Sequence, residues 1–163
     1  MHPQKVGVWA AVSRKRVIGP IFFEGTLNGA RYREIIDEFT DQLTLEELQR
    51  GYFHQDGAPA HYDALSRATL RRFFPGGHVI SRGEIPAWPA RSSDLTPLDF
   101  FFWGAMKDYV FARNPRNLDE LRGYIRDFFV TVTPQILQAV FENMQMRVEK
   151  CLERNGEHIE PYF

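Results

Sequence analysis

The segment HQDGAPAH, residues 54–61, contains the first acidic motif on which the fold prediction depends. It directly follows the aromatic residues Tyr52 and Phe53, so we predict a strand over residues 51–56 that ends in a polar turn. Asp56 then lies just past the carboxyl end of a strand, where open α/β sheets place the side chains of their sites. An aspartate before a glycine is also an ordinary turn residue, and the local sequence leaves both roles open.

A second acidic segment, DLTPLDFFFWG at residues 94–104, completes an extended, proline-rich loop over residues 81–97. Thr96 before Pro97 is typical of a helix start, so we predict a helix from this point. Asp99 falls in its first turn, where a carboxylate also favours the helix dipole. A structural role and a chemical role therefore both fit Asp99 on position alone.

The segments around these two motifs predict alternating strands and helices. Apolar runs at residues 6–12 and 17–23 indicate a β-hairpin, and Pro20 places its second strand at an edge. Asn28 is expected to cap a helix, and residues 78–80 indicate another short strand. A helix before that strand is expected to bury one side, formed by Leu65, Ala68 and Phe73.

Two further helices are predicted in the C-terminal part of the chain. Asn117 and Thr133 are expected to open them, and Asn155 with Gly156 to end the second. The order of elements predicts an α/β fold with a mixed sheet, flanking helices and a helical C-terminal half.

Composition narrows the function classes. A chain of 163 residues, 44% of them hydrophobic, predicts one domain with a real core rather than a disordered protein. Its apolar runs fall short of the roughly 18–20 residues that a membrane span needs, so no membrane partner is expected. The single cysteine, Cys151, excludes a disulfide framework and a multi-cysteine zinc site.

The charges point to one class of partner. Net charge is −1, but 16 of the 20 basic residues are arginine, which binds phosphate better than lysine does. Residues 117–163 carry a net charge of −3, which leaves +2 on residues 1–116. Ordinary solvated faces account for this pattern as well. The arginines expected to meet a phosphate backbone are Arg67, Arg71, Arg72, Arg82 and Arg91.

Asp56 and Asp99 together suggest a more specific chemistry than either does alone. Paired carboxylates hold two divalent metals that activate a nucleophile and stabilise a leaving oxygen in phosphodiester cleavage. Oxygen ligands of this kind favour Mg²⁺ or Mn²⁺. His54 and His61 flank Asp56 and offer a His/Asp metal site as the weaker alternative, because their spacing fits a strand and turn.

The two acidic segments, extended to WPARSSDLTPLDFFFWG at residues 88–104, resemble the catalytic domain of mariner-type transposases. The similarity continues through residues 18–28 and through the C-terminal pattern of Arg147, Cys151 and residues 155–158. It implies an RNase H-like fold and a DDE/D nuclease that cuts DNA and rejoins it, with two Mg²⁺ held by three carboxylates. Asp56 matches the second of these carboxylates and Asp99 the third.

The resemblance also predicts the partners, the cellular location and the part of the catalytic domain that the chain represents. It implies DNA as the partner, a homodimer, the nucleus, and no small-molecule substrate. The family's first carboxylate lies on a central strand upstream of the hairpin. We therefore expect residues 1–163 to be a partial catalytic domain that lacks this strand, with a sheet-bearing core over 1–116 and C-terminal helices over 117–163.

A chain without the first carboxylate is expected to be inactive as it stands. Two other possibilities stay open: a domesticated DNA- or protein-binding module without enzymatic activity, and a transposon remnant without a function. Metal-dependent nicking of DNA separates an enzyme from these two.

Overall fold

The computed structural model describes residues 5–162, which form two compact units. Residues 5–22 and 93–162 belong to one unit, and residues 23–92 to the other. Within the described part of the chain, no helix is both long enough and apolar enough to cross a membrane.

The chain begins with the predicted hairpin. Strand β1 spans Gly7–Val12 and β2 spans Val17–Phe23. A four-residue turn joins them, closed by a hydrogen bond from the Ser13 amide to the Arg16 carbonyl at 2.9 Å. Pro20 has no amide hydrogen to give, and within residues 5–162 β2 pairs with β1 alone, so the predicted edge position is confirmed.

Helices dominate the unit of residues 23–92. Asn28 caps α1, as predicted, with its side chain accepting a hydrogen bond from the Arg31 amide at 2.9 Å. Two strands of two residues each, β3 and β4, pair in parallel. The elements in chain order are α1 (Gly29–Thr40), α2 (Leu45–Arg50), β3 (Phe53–His54), α3 (Pro59–Tyr62), α4 (Ala64–Phe73) and β4 (Val79–Ile80).

The predicted buried side of α4 is wrong. Leu65 is 63% exposed and Ala68 is exposed, whereas Ser66 and Leu70 are fully buried. Ser66 tolerates burial because its hydroxyl donates a hydrogen bond to the Gly29 carbonyl at 3.3 Å, a partner on α1 that the local sequence does not reveal.

The remaining helices complete the other unit. They are α5 (Trp103–Phe111), α6 (Leu118–Thr131) and α7 (Pro134–Glu153), with short 3₁₀ turns at Ser93–Leu95 and Glu160–Tyr162. Asn117 and Thr133 cap α6 and α7 as predicted. An aromatic core joins α5 to α6: the Phe102 ring meets the rings of Phe128 and Phe129 edge-on, at centroid distances of 5.3 and 5.1 Å.

The predicted α/β class and the helical C-terminal half are confirmed. Strand pairing within residues 5–162 is divided between β1–β2 and β3–β4, together with one isolated bridge between Ser81 and Ala87. The sequence did not predict α2, although Thr44 and Glu47 form a complete capping box at its start. An upstream central strand stays a prediction.

Candidate metal and nucleic-acid site

Asp56 lies two residues past the end of β3, as the sequence predicts. One carboxylate oxygen, Oδ1, accepts a hydrogen bond from the Ala58 amide at 3.0 Å and lies 2.6 Å from Nδ1 of His61. Asp56 therefore does form the turn that its position before glycine suggests. Its side chain is still half exposed, at 51%, so the turn leaves it accessible to a ligand.

The surroundings of Asp56 favour its charged form. The hydrogen bond with His61 outweighs the opposing effect of partial burial, and together with the Ala58 amide it holds the pKa of Asp56 below its ordinary value. Asp56 is therefore a carboxylate at neutral pH, which is the form that binds a divalent cation.

A buried polar network lies directly beneath this turn. The Tyr32 hydroxyl donates to Oε1 of Gln55 at 2.5 Å, and Nε2 of Gln55 donates to the His61 carbonyl and to the Ser81 hydroxyl, both at 3.1 Å. The Tyr32 ring also contacts the His61 ring, with centroids 4.5 Å apart. Burial raises the pKa of Tyr32, so its hydroxyl stays a donor. The Gln55 side chain thus holds the His61 backbone and the Tyr32 ring contacts the His61 ring, while Nδ1 of His61 contacts Asp56.

His54 has a different environment from His61. Its ring packs against Trp88 with centroids 3.9 Å apart, and its buried Nε2 has no hydrogen-bond partner within residues 5–162. Burial lowers the pKa of His54 to about 4, so the imidazole is neutral at physiological pH. In the described part of the chain no three His, Cys, Asp or Glu side chains group so as to hold a metal, so His54, Asp56 and His61 do not form a three-ligand site.

Asp99 lies in the other unit, in a turn wider than the predicted α-helical start. Leu98–Phe102 form one π-helical turn in which the Trp103 amide donates to the Leu98 carbonyl. Short π-helical turns inside helices frequently accompany functional sites. Asp99 is exposed and lines an open groove of about 510 Å³ whose other walls are Val6, Val8, Trp103, Gly104, Met106 and Lys107.

Two of the five arginines predicted to bind DNA are tied to one carboxylate. Arg71 donates to both oxygens of Glu84, at 2.6 and 2.9 Å, and Nε of Arg67 donates to Glu84 Oε1 at 2.9 Å. Hydrogen bonds from Arg71 and then Arg67 hold the pKa of Glu84 below its ordinary value, against the opposing effect of burial. These contacts fasten the start of the 81–97 loop to α4.

The other three predicted arginines, Arg72, Arg82 and Arg91, are exposed. The Arg82 guanidinium lies over the Tyr62 ring, 4.4 Å from its centroid. A Cβ added at Gly57, the residue after Asp56, would approach the Arg82 side chain to 3.2 Å, so Arg82 passes directly beside the Asp56 turn. The structure thus brings Arg82, a predicted DNA contact, next to a predicted metal ligand.

Two participants in this arrangement were not predicted from the sequence. Gln55 is buried between Tyr32 and His61, and Glu84 anchors two arginines. In the predicted strand over residues 51–56, Gln55 alternates with Asp56, and that alternation was the available signal for its inward orientation. The pairing of Glu84 with α4 spans 13 and 17 residues and has no local signal.

Comparison with solved structures identifies the fold. The crystal structure of the catalytic domain of the Mos1 mariner transposase superimposes with a TM-score of 0.82 over 98% of this chain and 78% of that one, at 19% identity. The chain has the fold of a mariner transposase catalytic domain. No family model and no curated protein matches the sequence.

The same mariner transposase domain is also known with divalent metals. Its structures with raltegravir and Mg or Mn superimpose on this chain with a TM-score of 0.79, at 21% identity, over 93% of this chain and 75–76% of theirs. The RNase H-like α/β architecture expected from the sequence is therefore confirmed. At these identities the likeness establishes the fold, and the chemistry rests on the residues of this chain.

Proposed function

We propose that this chain is a mariner-type DDE/D catalytic domain whose role is the metal-dependent cleavage and rejoining of DNA. The observation that carries the proposal is the mariner transposase fold over 98% of the chain, together with the acidic motifs that contain Asp56 and Asp99. Asp56 follows a strand and Asp99 lines a groove at a π-helical turn, so both are accessible to solvent and to a ligand.

The residues fit a hard divalent cation such as Mg²⁺ or Mn²⁺. Asp56 is half exposed and ionised, and Asp99 is exposed. Proteins commonly hold Mg²⁺ with one or two carboxylates, and waters and substrate phosphates complete its coordination. When bound, the metal would activate the attacking oxygen and stabilise the leaving one.

The protein's own contribution is to position groups and to bind phosphate. His61 and the Ala58 amide orient the Asp56 carboxylate through Oδ1. We propose that Arg72, Arg82 and Arg91 contact the DNA backbone, and that Arg67 and Arg71 contribute from the helix that Glu84 fastens to the loop. A protein that acts on chromosomal DNA would work in the nucleus, and the proposal includes this location and a homodimer as the acting form.

The experiment measures Mn²⁺ binding and Mn²⁺-dependent nicking of supercoiled plasmid by the purified chain. Asp56→Asn and Asp99→Asn should each weaken Mn²⁺ binding by at least about tenfold, because a lost ligand costs no less than a lost outer partner. Asp127→Asn, which alters an exposed carboxylate on α6, is the matched control. Equal Mn²⁺ affinity in all four proteins would contradict the proposal.

DNA binding gives the second measurement. If arginines meet phosphates, the affinity for a DNA duplex falls with added salt, and each lost contact reduces the salt slope by about 0.9. Nicking that Asp56→Asn abolishes would establish an enzyme and would overturn the expectation that a chain without a third carboxylate is inactive. Salt-sensitive binding without nicking favours the domesticated binding module.

A further inference from the structure

We propose that Arg147 and Asp94 are positioning residues that fix the turn bearing Asp99, and that the segment His158–Glu160 is therefore part of the support of the metal site. This inference rests on the proposed function, because it concerns the geometry of one proposed ligand. All the residues that carry it belong to the unit of residues 5–22 and 93–162.

Arg147 is an unusual residue for the buried side of α7. It is only 7% exposed, and its Nη1 donates both to the Asp94 carbonyl at 2.9 Å and to Glu160 Oε1 at 2.8 Å. Nε donates to Asn143 Oδ1 one turn earlier at 2.7 Å. The guanidinium also lies over the Phe100 ring, 4.3 Å from its centroid. One side chain thus contacts α7, the C-terminal segment, the Ser93–Leu95 turn and the residue that follows Asp99.

The Asp94 side chain also connects the Ser93–Leu95 turn to the C-terminal segment. Asp94 is only 7% exposed, and its Oδ2 accepts a hydrogen bond from the amide of the fully buried Ile159 at 3.2 Å. Nδ1 of His158 lies 3.5 Å from the same oxygen. The backbone of Asp94 is therefore held by Arg147 while its side chain holds the C-terminal segment.

Backbone hydrogen bonds lead from the Ser93–Leu95 turn, which contains Asp94, through Thr96 to Asp99. The Thr96 amide donates to the Ser93 carbonyl at 3.2 Å, and the Thr96 carbonyl accepts from the amides of Asp99 and Phe100 at 2.9 and 3.0 Å. Residues 94–97 are all buried, whereas Asp99 itself is exposed. The buried part of the turn thus ends two residues before the proposed ligand.

Stability alone gives little reason for this arrangement. Burying a charged guanidinium costs desolvation, and the ionic partner of Arg147, Glu160, is itself 59% exposed. What the buried guanidinium supplies is direction, because its planar set of donors meets the Asp94 carbonyl at one position. The π-helical turn that follows is closed by the Trp103 amide and the Leu98 carbonyl, and Arg147 contacts its surroundings through the Asp94 carbonyl and the Phe100 ring.

The test compares Mn²⁺ affinity by calorimetry in Arg147→Met, Arg147→Lys and Lys150→Met, each with and without Asp99→Asn. Lys150 is the matched control, because it lies on the same helix in an ion pair with Glu153 at the surface. Arg147→Met should weaken Mn²⁺ binding about tenfold, as the loss of an outer partner of a ligand does. Arg147→Lys should recover part of this loss, and Lys150→Met should change nothing.

The double variants with Asp99→Asn distinguish a positioning role of Arg147 from a general loss of stability of the fold. Once Asp99 no longer binds, Arg147→Met should weaken Mn²⁺ binding by less than about twofold further, since the two changes act through one ligand. Amide hydrogen exchange should rise over residues 94–103 in Arg147→Met and stay unchanged over residues 29–40. Equal effects of Arg147→Met with and without Asp99 would overturn the inference.

The measurements distinguish failure of the proposed function from failure of the positioning role. If Asp99→Asn binds Mn²⁺ as the unaltered chain does, Asp99 is not a ligand and both proposals fall. If Asp99→Asn weakens binding and Arg147→Met does not, the positioning role alone is overturned.

Should Arg147→Met fail to fold, the pair Asp94→Asn and Asp94→Ala replaces it. Asparagine keeps an oxygen for the Ile159 amide and should retain Mn²⁺ affinity, whereas alanine should lose it. Equal affinity of these two variants would overturn the inference as well.

Discussion

The two proposed metal ligands are held in place in opposite ways. Asp56 is fixed by residues close to it in sequence, through the Ala58 amide and the His61 ring. Asp99 follows a turn fixed by Arg147 and Ile159, which lie 53 and 65 residues from their partner Asp94. Residues 56–61 thus supply the contacts of the Asp56 carboxylate themselves, whereas the turn before Asp99 depends on distant parts of its unit.

The largest expected effect concerns the helix that follows Asp99. Phe102→Ala should lower the free energy of unfolding by about 3–5 kcal/mol, because it removes a fully buried ring that contacts Phe128 and Phe129. Urea denaturation measures this. Phe111→Ala, at a 66%-exposed position at the end of α5, which begins directly after Phe102, is the control and should have little effect. Similar losses in both variants would show that the aromatic core does not anchor this helix.

A smaller effect on stability tests the buried network beneath the Asp56 turn. Tyr32→Phe removes the donor to Gln55 Oε1 and leaves a buried acceptor without its partner, at a cost of about 1–3 kcal/mol. The measurement is the shift in the urea midpoint at constant slope. Tyr52→Phe, at a residue that is 63% exposed, should leave the midpoint unchanged. A neutral Tyr32→Phe would mean that the network beneath Asp56 contributes nothing to the turn.

The smallest expected change in the free energy of unfolding comes from the ion pairs of the 81–97 loop, and it depends on pH. The folded-state pKa of Glu84 lies below its ordinary value of 4.5, so its ion pairs stabilise the fold above that pH. This contribution is lost as the pH falls through the lowered pKa. Glu84→Gln should therefore cost about 1–2 kcal/mol at neutral pH, and the difference from the unaltered chain should shrink in acid. Thermal melts across this pH range measure it.

The control for Glu84→Gln is Glu153→Gln, which alters a 65%-exposed partner of Lys150. That variant should melt as the unaltered chain does at every pH. If the Glu84→Gln difference grew as the pH fell, Arg67 and Arg71 would not be held by a carboxylate of lowered pKa.

The sequence predicted the features that depend on neighbours along the chain. The caps at Asn28, Asn117 and Thr133, the hairpin, and the position of Asp56 after a strand follow from local backbone and side-chain chemistry. The motif resemblance predicted the fold that the comparison with solved structures confirms.

Features that depend on distant partners were missed or misplaced. Hydrophobicity placed Leu65 inside and left Ser66 out, because the hydroxyl's partner lies on α1. A proline-led α-helix was expected at Asp99, whereas a π-helical turn forms there. The role of Asp94 was invisible for the same reason, since its partners lie on α7 and in the C-terminal segment.

Anomalous diffraction from crystals of this chain grown with Mn²⁺ tests the proposal that Asp56 and Asp99 hold the metal of a mariner-type nuclease. We expect anomalous peaks in coordination contact with the carboxylates of Asp56 and Asp99. Mn²⁺ bound only at other carboxylates, with both of these side chains free of metal, would contradict it.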